Sequence, residues 1–393
     1  MLLVVESSAG GTGRHVLDLA EGLAARGCEV HVIYSTRRID RLFLDRLARL
    51  DGVRHKALPI RTSPHPADLS IVRTVRRYMS EFGPFEVVHG HSSKGGAIAR
   101  LAALGTGARA FYTLHGLIMM DPLLPRWKWL MYLSIELGLA TWTSRVIAVS
   151  PEEQRAALKL GFGRSRVILV PNGVGEMDLA PRAVARRAMG VDDDAIVVGF
   201  VGRLVEQKAP EVLIEAFAAA ASAEPRARLA LVGAGPLESS MRELAGRLGI
   251  AEKILWLGER DARGVLAGFD LFALASRKEG LPYVVLEAMA AGLPVVATAS
   301  AGSEILVIPG LNGAVVPAEN AKAFGAALIE LVTDPAKRVR CGAASRARVA
   351  SFSIDAMVEA TLAAYRDARR TSRATEEGEA DRPDLEGEMC ECR

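Results

Sequence analysis

The sequence predicts an α/β chain of two doubly wound domains, each a parallel sheet with helices on both faces, meeting across a cleft. Three observations carry this expectation. At 393 residues the chain exceeds what one core ordinarily serves. Runs rich in Val, Ile and Leu alternate with stretches of helical periodicity through both halves, the pattern of strands buried on both faces. The alternation breaks once, at Pro171-Asn172-Gly173 and the residues after it, between two similar series.

In the first series the apolar runs place strands at 2–5, 29–34, 53–58, 86–90, 109–114, 145–149 and 166–170. Amphipathic stretches between them place helices at 13–26, 40–50, 67–82, 94–104, 125–142 and 151–160. The second series gives strands at 195–201, 228–232, 253–257, 270–274, 294–298 and 313–316, with helices at 210–223, 236–248, 261–268, 283–291 and 319–333. Residues 335–370 read as helical, with an interruption at Phe352-Ser353. From Thr371 onward 8 acidic residues stand against 3 basic ones, the composition of a disordered tail. The expected domains are therefore 1–174 and 175–370, followed by an acidic tail at 371–393. Ligands of such folds bind where the carboxyl ends of the strands line the cleft.

Composition excludes several classes. Half the residues are apolar and a quarter charged, as in a globular protein. The four cysteines, Cys28, Cys341, Cys390 and Cys392, form no paired framework, which suggests a reducing compartment. Cys390-Glu391-Cys392 lacks the further ligands a metal would need. Leu2-Leu3-Val4-Val5 already reads as a buried strand, so no leader is expected, and no apolar run reaches the roughly 20 residues of a membrane span. A soluble protein, or one attached to a membrane surface, is expected. The net charge of +3 hides an asymmetry: residues 1–170 carry 23 basic against 14 acidic side chains, and 36–77 alone carry 11 against 4. Such a patch can attract an anionic membrane surface or be ordinary solvated helix faces; no nucleic-acid motif accompanies it. The apolar segment Leu123–Thr143, with Trp127, Trp129 and Trp142, reads either as a helix buried in the first domain's core or as an aromatic, basic edge for a membrane or lipid-linked acceptor.

The most informative segment is Glu279-Gly280-Leu281-Pro282-Tyr283-Val284-Val285-Leu286-Glu287. Its first carboxylate lies in a loop and its second two turns into an apolar helix. Gly280, Leu281 and Pro282 build a helix N-terminus whose free N–H groups can hold a phosphate. The carboxylates can accept hydrogen bonds from hydroxyls. A ligand with a diphosphate centre and hydroxylated ends satisfies both, which describes a nucleotide-sugar. Gly202-Arg203 through Lys208 follows the first strand of the second series, where a diphosphate would lie, and Arg and Lys can neutralise it.

Other loops carry weaker signals. Gly11-Thr12-Gly13 follows the first strand but has Val16 where a dinucleotide fingerprint needs glycine, and Gly233-Ala234-Gly235 has Glu238 there. A dehydrogenase is thereby disfavoured. His115 ends a strand facing the cleft and can meet a sugar hydroxyl, or be structural. His89-Gly90-His91 lacks visible further metal ligands, and Gly90-His91-Ser92-Ser93-Lys94 lacks the second glycine of a nucleophile elbow. Asp192-Asp193-Asp194 precedes a strand, away from the cleft, and reads as a solvated turn.

These motifs together resemble the GT-B retaining glycosyltransferases of family 4, the glycosyltransferase group 1 type. The resemblance rests on Gly202-Arg203 with Lys208, Leu231 to Pro236, and Ser276 to Pro282 through Glu287 to Ala297, and it covers the chain to about residue 370. The first half adds Gly10 to His15, His89 to Lys94, Thr113-Leu114-His115-Gly116, Val149-Ser150 and Pro171-Asn172-Gly173, similar to the branch serving bacterial exopolysaccharide, capsule and O-antigen assembly. It implies two Rossmann-like domains, the first for the acceptor and the second for the donor. It further implies that Arg203 and Lys208 neutralise the donor diphosphate, with the backbone N–H groups of the helix N-terminus at Gly280-Leu281-Pro282. Glu287 would hold the ribose, Glu279 and His115 the transferred sugar, and Gly11, Thr12 and Gly13 would approach the phosphates. Gly202, Gly233 and Gly235 would line the nucleotide. Transfer would proceed with retention and without metal or other cofactor.

The donor is expected to be a UDP-sugar rather than GDP-mannose, and the acceptor a glycan or polyprenyl-linked glycan at the cytoplasmic face of the plasma membrane. Oligomeric state stays open. An epimerase or hydrolase of the same fold, or a catalytically silent sugar-nucleotide-binding partner, are the alternatives. Three positions depart from the family pattern: Ala209-Pro210 follows Lys208 where Gly is usual, Ser303 precedes Glu304 where Pro is usual, and Leu117-Ile118-Met119-Met120 follows Gly116 where Phe is common.

Overall fold

A computed structural model describes residues 1–121, 124–300 and 302–380. Strands β1 (Leu2–Val5), β2 (Val30–Ser35), β3 (Val53–Leu58), β4 (Val87–His91), β5 (Arg109–Thr113), β6 (Arg145–Ala148) and β7 (Val167–Leu169) form the first sheet. Its order is β3-β2-β1-β4-β5-β6-β7 and its pairings are parallel. Around it lie helices α1 (Gly10–Ala24), α2 (Arg41–Leu47), α3 (Asp68–Phe82), α4 (Ser92–Ala103), α5 (Arg126–Ala140) and α6 (Pro151–Lys159). The order reverses between β1 and β4, and their carboxyl ends open the crevice where such sheets bind ligands.

After α7 (Arg182–Met189) come β8 (Ile196–Val201), α8 (Pro210–Ala223), β9 (Ala227–Val232), α9 (Glu238–Arg247), β10 (Ile254–Gly258), β11 (Leu271–Leu274), α10 (Tyr283–Ala290), β12 (Val295–Thr298), α11 (Ser303–Leu306) and β13 (Gly313–Val316). This second sheet is also parallel, in the order β10-β9-β8-β11-β12-β13. Helices α12 (Ala321–Thr333), α13 (Pro335–Val349) and α14 (Ile354–Ala380) complete the described chain. The uncharged runs are buried because helices cover both faces: Leu2, Leu3, Val4 and Val5 are all 0% exposed.

Several expectations need correction. The helix expected at 261–268 is two 3-10 turns, Ala262–Gly264 and Leu266–Gly268. The Asp261 side chain accepts from the Arg263 amide at 3.0 Å, a local bond that competes with an α-helical start. Helices α7 and α11 were not anticipated; α7 ends on Gly190 in the left-handed conformation (φ 69°). α5 is not buried in the core: Trp127 is 65% and Leu130 57% exposed, while Glu136 and Leu139 turn inward. Glu136 sits there because Arg100, itself fully buried on α4, donates to it at 2.8 Å and stacks on Tyr112. A paired buried charge therefore anchors a helix whose apolar side chains face outward.

The larger correction concerns α14, which the sequence assigns to the second domain. The chain crosses back at Val174, whose amide donates to the Phe352 carbonyl at 2.8 Å. Met357, Val358, Leu362, Tyr365 and Ala368 then join the first domain's core with Leu19, Leu23 and Phe111. The α14 stripe fits there because Gly22 on α1 leaves room; a Cβ at Gly22 would meet Val358 at 2.5 Å. The helix also runs to Ala380, past Thr371 where the sequence predicts order to end; Ala, Glu and Arg are good helix formers. Cys390, Cys392 and the rest of the acidic tail lie outside the described residues, as does Leu123.

Leu362→Ala is expected to cost about 2–5 kcal/mol, the range for deleting a buried leucine, read as a lower urea midpoint of the first domain's transition. An unchanged midpoint would mean that α14 does not complete this core.

Candidate active site

The second domain contributes one wall from the ends of β8, β9 and β11. Gly202 and Arg203 follow β8. Arg203 is exposed, and its guanidinium has no hydrogen-bond or ion-pair partner among the described residues. Gly233 and Gly235 let the loops after β8 and β9 pack backbone to backbone: a Cβ at Gly233 would lie 2.1 Å from the Gly202 carbonyl, and one at Gly235 2.3 Å from that of Leu204. What crowds these glycines is protein backbone, so they shape the wall rather than face open space. Lys208 ends a 3-10 turn and its Nζ lies 2.5 Å from Glu279 Oε1. Ala209, which stands where the family usually has Gly, is left-handed at φ 45°, a conformation costing a non-glycine residue about 1–2 kcal/mol.

Gly280, Leu281 and Pro282 lead into α10, as expected. Glu287 is the fifth residue of that helix, just over one turn in rather than two. It is ion-paired with Arg14 of the first domain, whose guanidinium also lies 4.7 Å from the centre of the Tyr283 ring. Burial raises the Glu287 carboxyl above its usual range while Arg14 draws it back down.

The first domain contributes the facing wall. α1 begins at Gly10, earlier than predicted, so Gly11, Thr12 and Gly13 lie in its first turn rather than in a loop before it. The Gly10 amide is capped by Asp40 at 2.9 Å, which allows the early start. Gly13 is needed for packing, since a Cβ would lie 2.0 Å from the Ser8 carbonyl; a Cβ at Gly11 would sit 3.3 Å from the Tyr283 ring across the cleft. His115 follows β5 in a left-handed turn (φ 51°) continued by Gly116 (φ 88°), which turns its imidazole toward His91 at the end of β4. His91 Nδ1 and His115 Nε2 are 3.1 Å apart. His15 of α1 packs edge-on to His115, ring centres 4.4 Å apart. His89, the next inward residue of β4, is satisfied by Tyr365 and Thr113, each at 2.7 Å. Burial keeps all four rings neutral, lowering His15 to about 4, His89 to about 3, and His91 and His115 well below 6.5.

Two hydrogen-bonded links cross the cleft besides Arg14–Glu287. Asn172, 3% exposed at the break between the domains, accepts from His15 Nδ1 at 3.0 Å and donates to the Leu281 carbonyl at 2.9 Å. Lys278 Nζ donates to the Leu117 carbonyl at 3.0 Å. Glu153, fully buried on α6, accepts from the Val149 amide at 3.0 Å and from the Gly116 amide, and a Cβ at Gly280 would lie 3.2 Å from its Oε1. Burial raises the Glu153 carboxyl to about 7.

Of the residues singled out from sequence, Gly11, Gly280, Leu281 and Glu287 stand against the opposite domain, Lys208 and Glu279 pair with each other, His115 joins His15 and His91, and Gly13, Gly233 and Gly235 are packing positions. Asp192, Asp193 and Asp194 are exposed ahead of β8, away from the cleft. Arg14, His15, His91, Glu153, Asn172, Lys278 and Tyr283 were assigned no role from sequence. The one usable signal was the placement of His91 and His115 after adjacent apolar runs; Arg14, Asn172, Lys278 and Tyr283 have partners across the domain boundary, and His15 and Glu153 have theirs in distant segments of their own domain.

Two α/β domains meeting at the carboxyl ends of their strands, with paired acids and bases between them, define the GT-B architecture, and comparison with known proteins agrees. Residues 9–176 match the model described as Glycosyltransferase Family 4, and residues 182–348 match that described as Glycosyl transferases group 1. The chain is 31% identical over 393 residues to D-inositol 3-phosphate glycosyltransferase of Actinosynnema mirum, covering 92% of this chain and 93% of that protein. It is 30% identical over 396 residues to the protein of the same name from Kribbella flavida, covering 93% and 92%. Among solved structures, Anabaena Alr3699/HepE in complex with UDP and glucose shares the fold at a TM-score of 0.78 and 21% identity, covering 92% of this chain and 98% of that one. Sucrose-phosphate synthase from Thermosynechococcus elongatus does so at 0.78 and 23%, covering 94% and 99%. The chain belongs to the group 1 glycosyltransferases of family 4, enzymes of the GT-B class.

The buried imidazoles set a pH dependence. Each titrates below its ordinary 6.5 in the folded chain, so the unfolded chain takes up protons first; their contribution is complete above about 6.5 and is lost as pH falls toward 4 and below. Glu153 runs the other way, its raised carboxyl contributing below 4.5 and losing that contribution as pH rises through about 7. Five lowered imidazoles, His31 included, stand against three raised carboxyls, Asp18, Glu153 and Glu287, so the urea midpoint is expected to drop between pH 6.5 and 4, and more steeply in Glu153→Gln. A shallower slope in that variant would contradict the sign assigned to Glu153.

Proposed function

We propose that the protein is a retaining hexosyltransferase that moves a sugar from a nucleotide diphosphate sugar, a UDP-sugar in preference to GDP-mannose, to a glycan or polyprenyl-linked acceptor in cell-surface polysaccharide biosynthesis. The observation that carries this reading is the convergence of Arg203, Lys208 and the N-terminus of α10 with Glu279 and Glu287 at the carboxyl ends of β8 and β11. Arg203 and Lys208 supply positive charge for a diphosphate, and the amides leading into α10 add donors. Glu287 accepts from ribose hydroxyls once Arg14 yields it; Glu279 accepts from hydroxyls of the transferred sugar once Lys208 turns to phosphate. His115 meets that sugar from the other domain. The solved relatives in complex with UDP and glucose, and with UDP-glucose, favour a uridine donor.

In this reaction the bond from the anomeric carbon to the phosphate oxygen breaks, and a bond to the acceptor oxygen forms on the same face. The acceptor's proton passes to a phosphate oxygen of the departing nucleotide, so no protein carboxylate acts as nucleophile and no metal is needed. Closure of the two walls excludes water and so suppresses hydrolysis.

The exposed Trp127, Leu130 and Trp142 of the α5 region, with Arg126 and Lys128, suit attachment to an anionic membrane surface on the cytoplasmic side, where a polyprenyl-linked acceptor is presented. The names of the relatives at 30% and 31% identity favour a second reading, in which an inositol phosphate is the acceptor.

Lys208→Ala and Arg203→Ala are each expected to lower turnover of the UDP-sugar by roughly 100-fold or more, while EDTA leaves wild-type turnover undiminished. Near-normal turnover in either variant would remove the diphosphate assignment, and loss with EDTA would remove the metal-free mechanism. Co-sedimentation with anionic liposomes at low salt is expected, with sugar transfer to a polyprenyl-linked glycan in them. Transfer to soluble inositol phosphate without liposome binding would decide for the second reading.

A further inference from the structure

His15, His91 and His115 come from three separate elements, the first helix and the ends of two adjacent strands, and the proposed reaction assigns no joint task to them. One ring nitrogen of each lies within 4.8 Å of the others. His91 is fully buried, and its Nε2 finds no hydrogen-bond partner among the described residues. A buried ring nitrogen left without a partner is costly and calls for an explanation. His89, its neighbour on the strand, shows the contrast, with both nitrogens satisfied.

We infer that these three imidazoles form a site for a borderline-soft divalent cation such as Zn²⁺, with a fourth position open toward the cleft. Three nitrogens bound at about 2.0–2.1 Å stand about 3.3–3.5 Å apart in a tetrahedron, so the rings need to close by an ångström or so. With Nδ1 as the N–H that His115 Nε2 accepts at 3.1 Å, the lone pair His91 keeps for the cation is its unpartnered Nε2. His115 stands in a left-handed turn beside Gly116, where small backbone adjustments can re-aim its ring. His15 is oriented as metal-bound imidazoles usually are: Nδ1–H donates to Asn172 Oδ1 at 3.0 Å, leaving Nε2 as the free lone pair. Nitrogen donors without a carboxylate select Zn²⁺, Co²⁺ or Ni²⁺ over Mg²⁺ or Ca²⁺.

The cation is not part of the transfer chemistry. It takes His115 away from the sugar, so occupancy inhibits transfer. This consequence rests on the proposed function, whereas cation binding does not. The two can fail separately.

Cys390 and Cys392 are competing soft ligands, so the measurement uses the full chain carrying Cys390→Ser and Cys392→Ser. Titration with Co²⁺, followed by the d–d absorption of the bound ion and displaced by Zn²⁺, is expected to show one saturable site. His15→Gln and His91→Gln are expected to weaken it at least 10-fold with thermal unfolding still cooperative. Asn172→Ala, which removes only the orienting acceptor, is expected to weaken it by about 10-fold. Absence of saturable Co²⁺ or Zn²⁺ binding in this background would overturn the site, as would affinity unchanged in both histidine variants. In a transfer assay, Zn²⁺ is expected to inhibit the wild type and to lose potency in His91→Gln; binding without inhibition would retain the site and remove its competition with the sugar.

Discussion

The bidentate use of one buried amide holds the two halves in register. Asn172 stands where the first domain hands over to the second, with its oxygen on His15 and its nitrogen on the carbonyl of Leu281. A buried side-chain amide satisfied on both ends is stabilising, and leaving either end unmatched costs the desolvation of a polar group. Through this one side chain the first domain's histidine cluster is coupled to the loop that starts α10. Asp would keep the acceptor and lose the donor, and Gln would displace both, so few residue types can do this. α14 adds a second tie by returning to the first core after the second is complete.

Charge across the cleft is arranged by exchange. Lys208 is paired with Glu279 and Arg14 with Glu287, so the groups expected to meet a nucleotide-sugar satisfy one another without it. A ligand carrying both phosphate and hydroxyls offers each partner a replacement: anions for the bases, donors for the acids. Unpaired, these partly buried charges would each bear a desolvation penalty of several kcal/mol. Arg203 is different. It lies exposed at the edge of the loop, free to meet an incoming anion before the inner pairs open. The left-handed Ala209 after Lys208 shows that this turn keeps its shape even where the chain lacks the customary glycine, so the position of Lys208 is bought with backbone strain.

The alternating apolar runs determined the two parallel sheets, because a strand buried on both faces must be apolar throughout and a helix between such strands must show one apolar face. The Glu279 to Glu287 segment and the residues after β8 were equally legible, since local backbone chemistry sets a helix N-terminus and the end of a strand. What lay beyond the sequence depends on contacts between distant segments. The stripe of α14 is apolar whichever core it meets; in the folded chain it packs on the first domain's core, with Gly22 leaving room for Val358. α5 looks buried because it is rich in Trp and Leu, yet the buried Arg100–Glu136 pair fixes which side turns inward. Arg14 and Asn172 resemble ordinary surface or turn residues until the opposite wall is present, and Glu153 does so until the turn at Gly116 folds over it. Periodicity records which side chains leave water, but not which partner receives them. Tertiary structure alone decided that, because pairing a buried charge or amide requires a specific atom in a specific place.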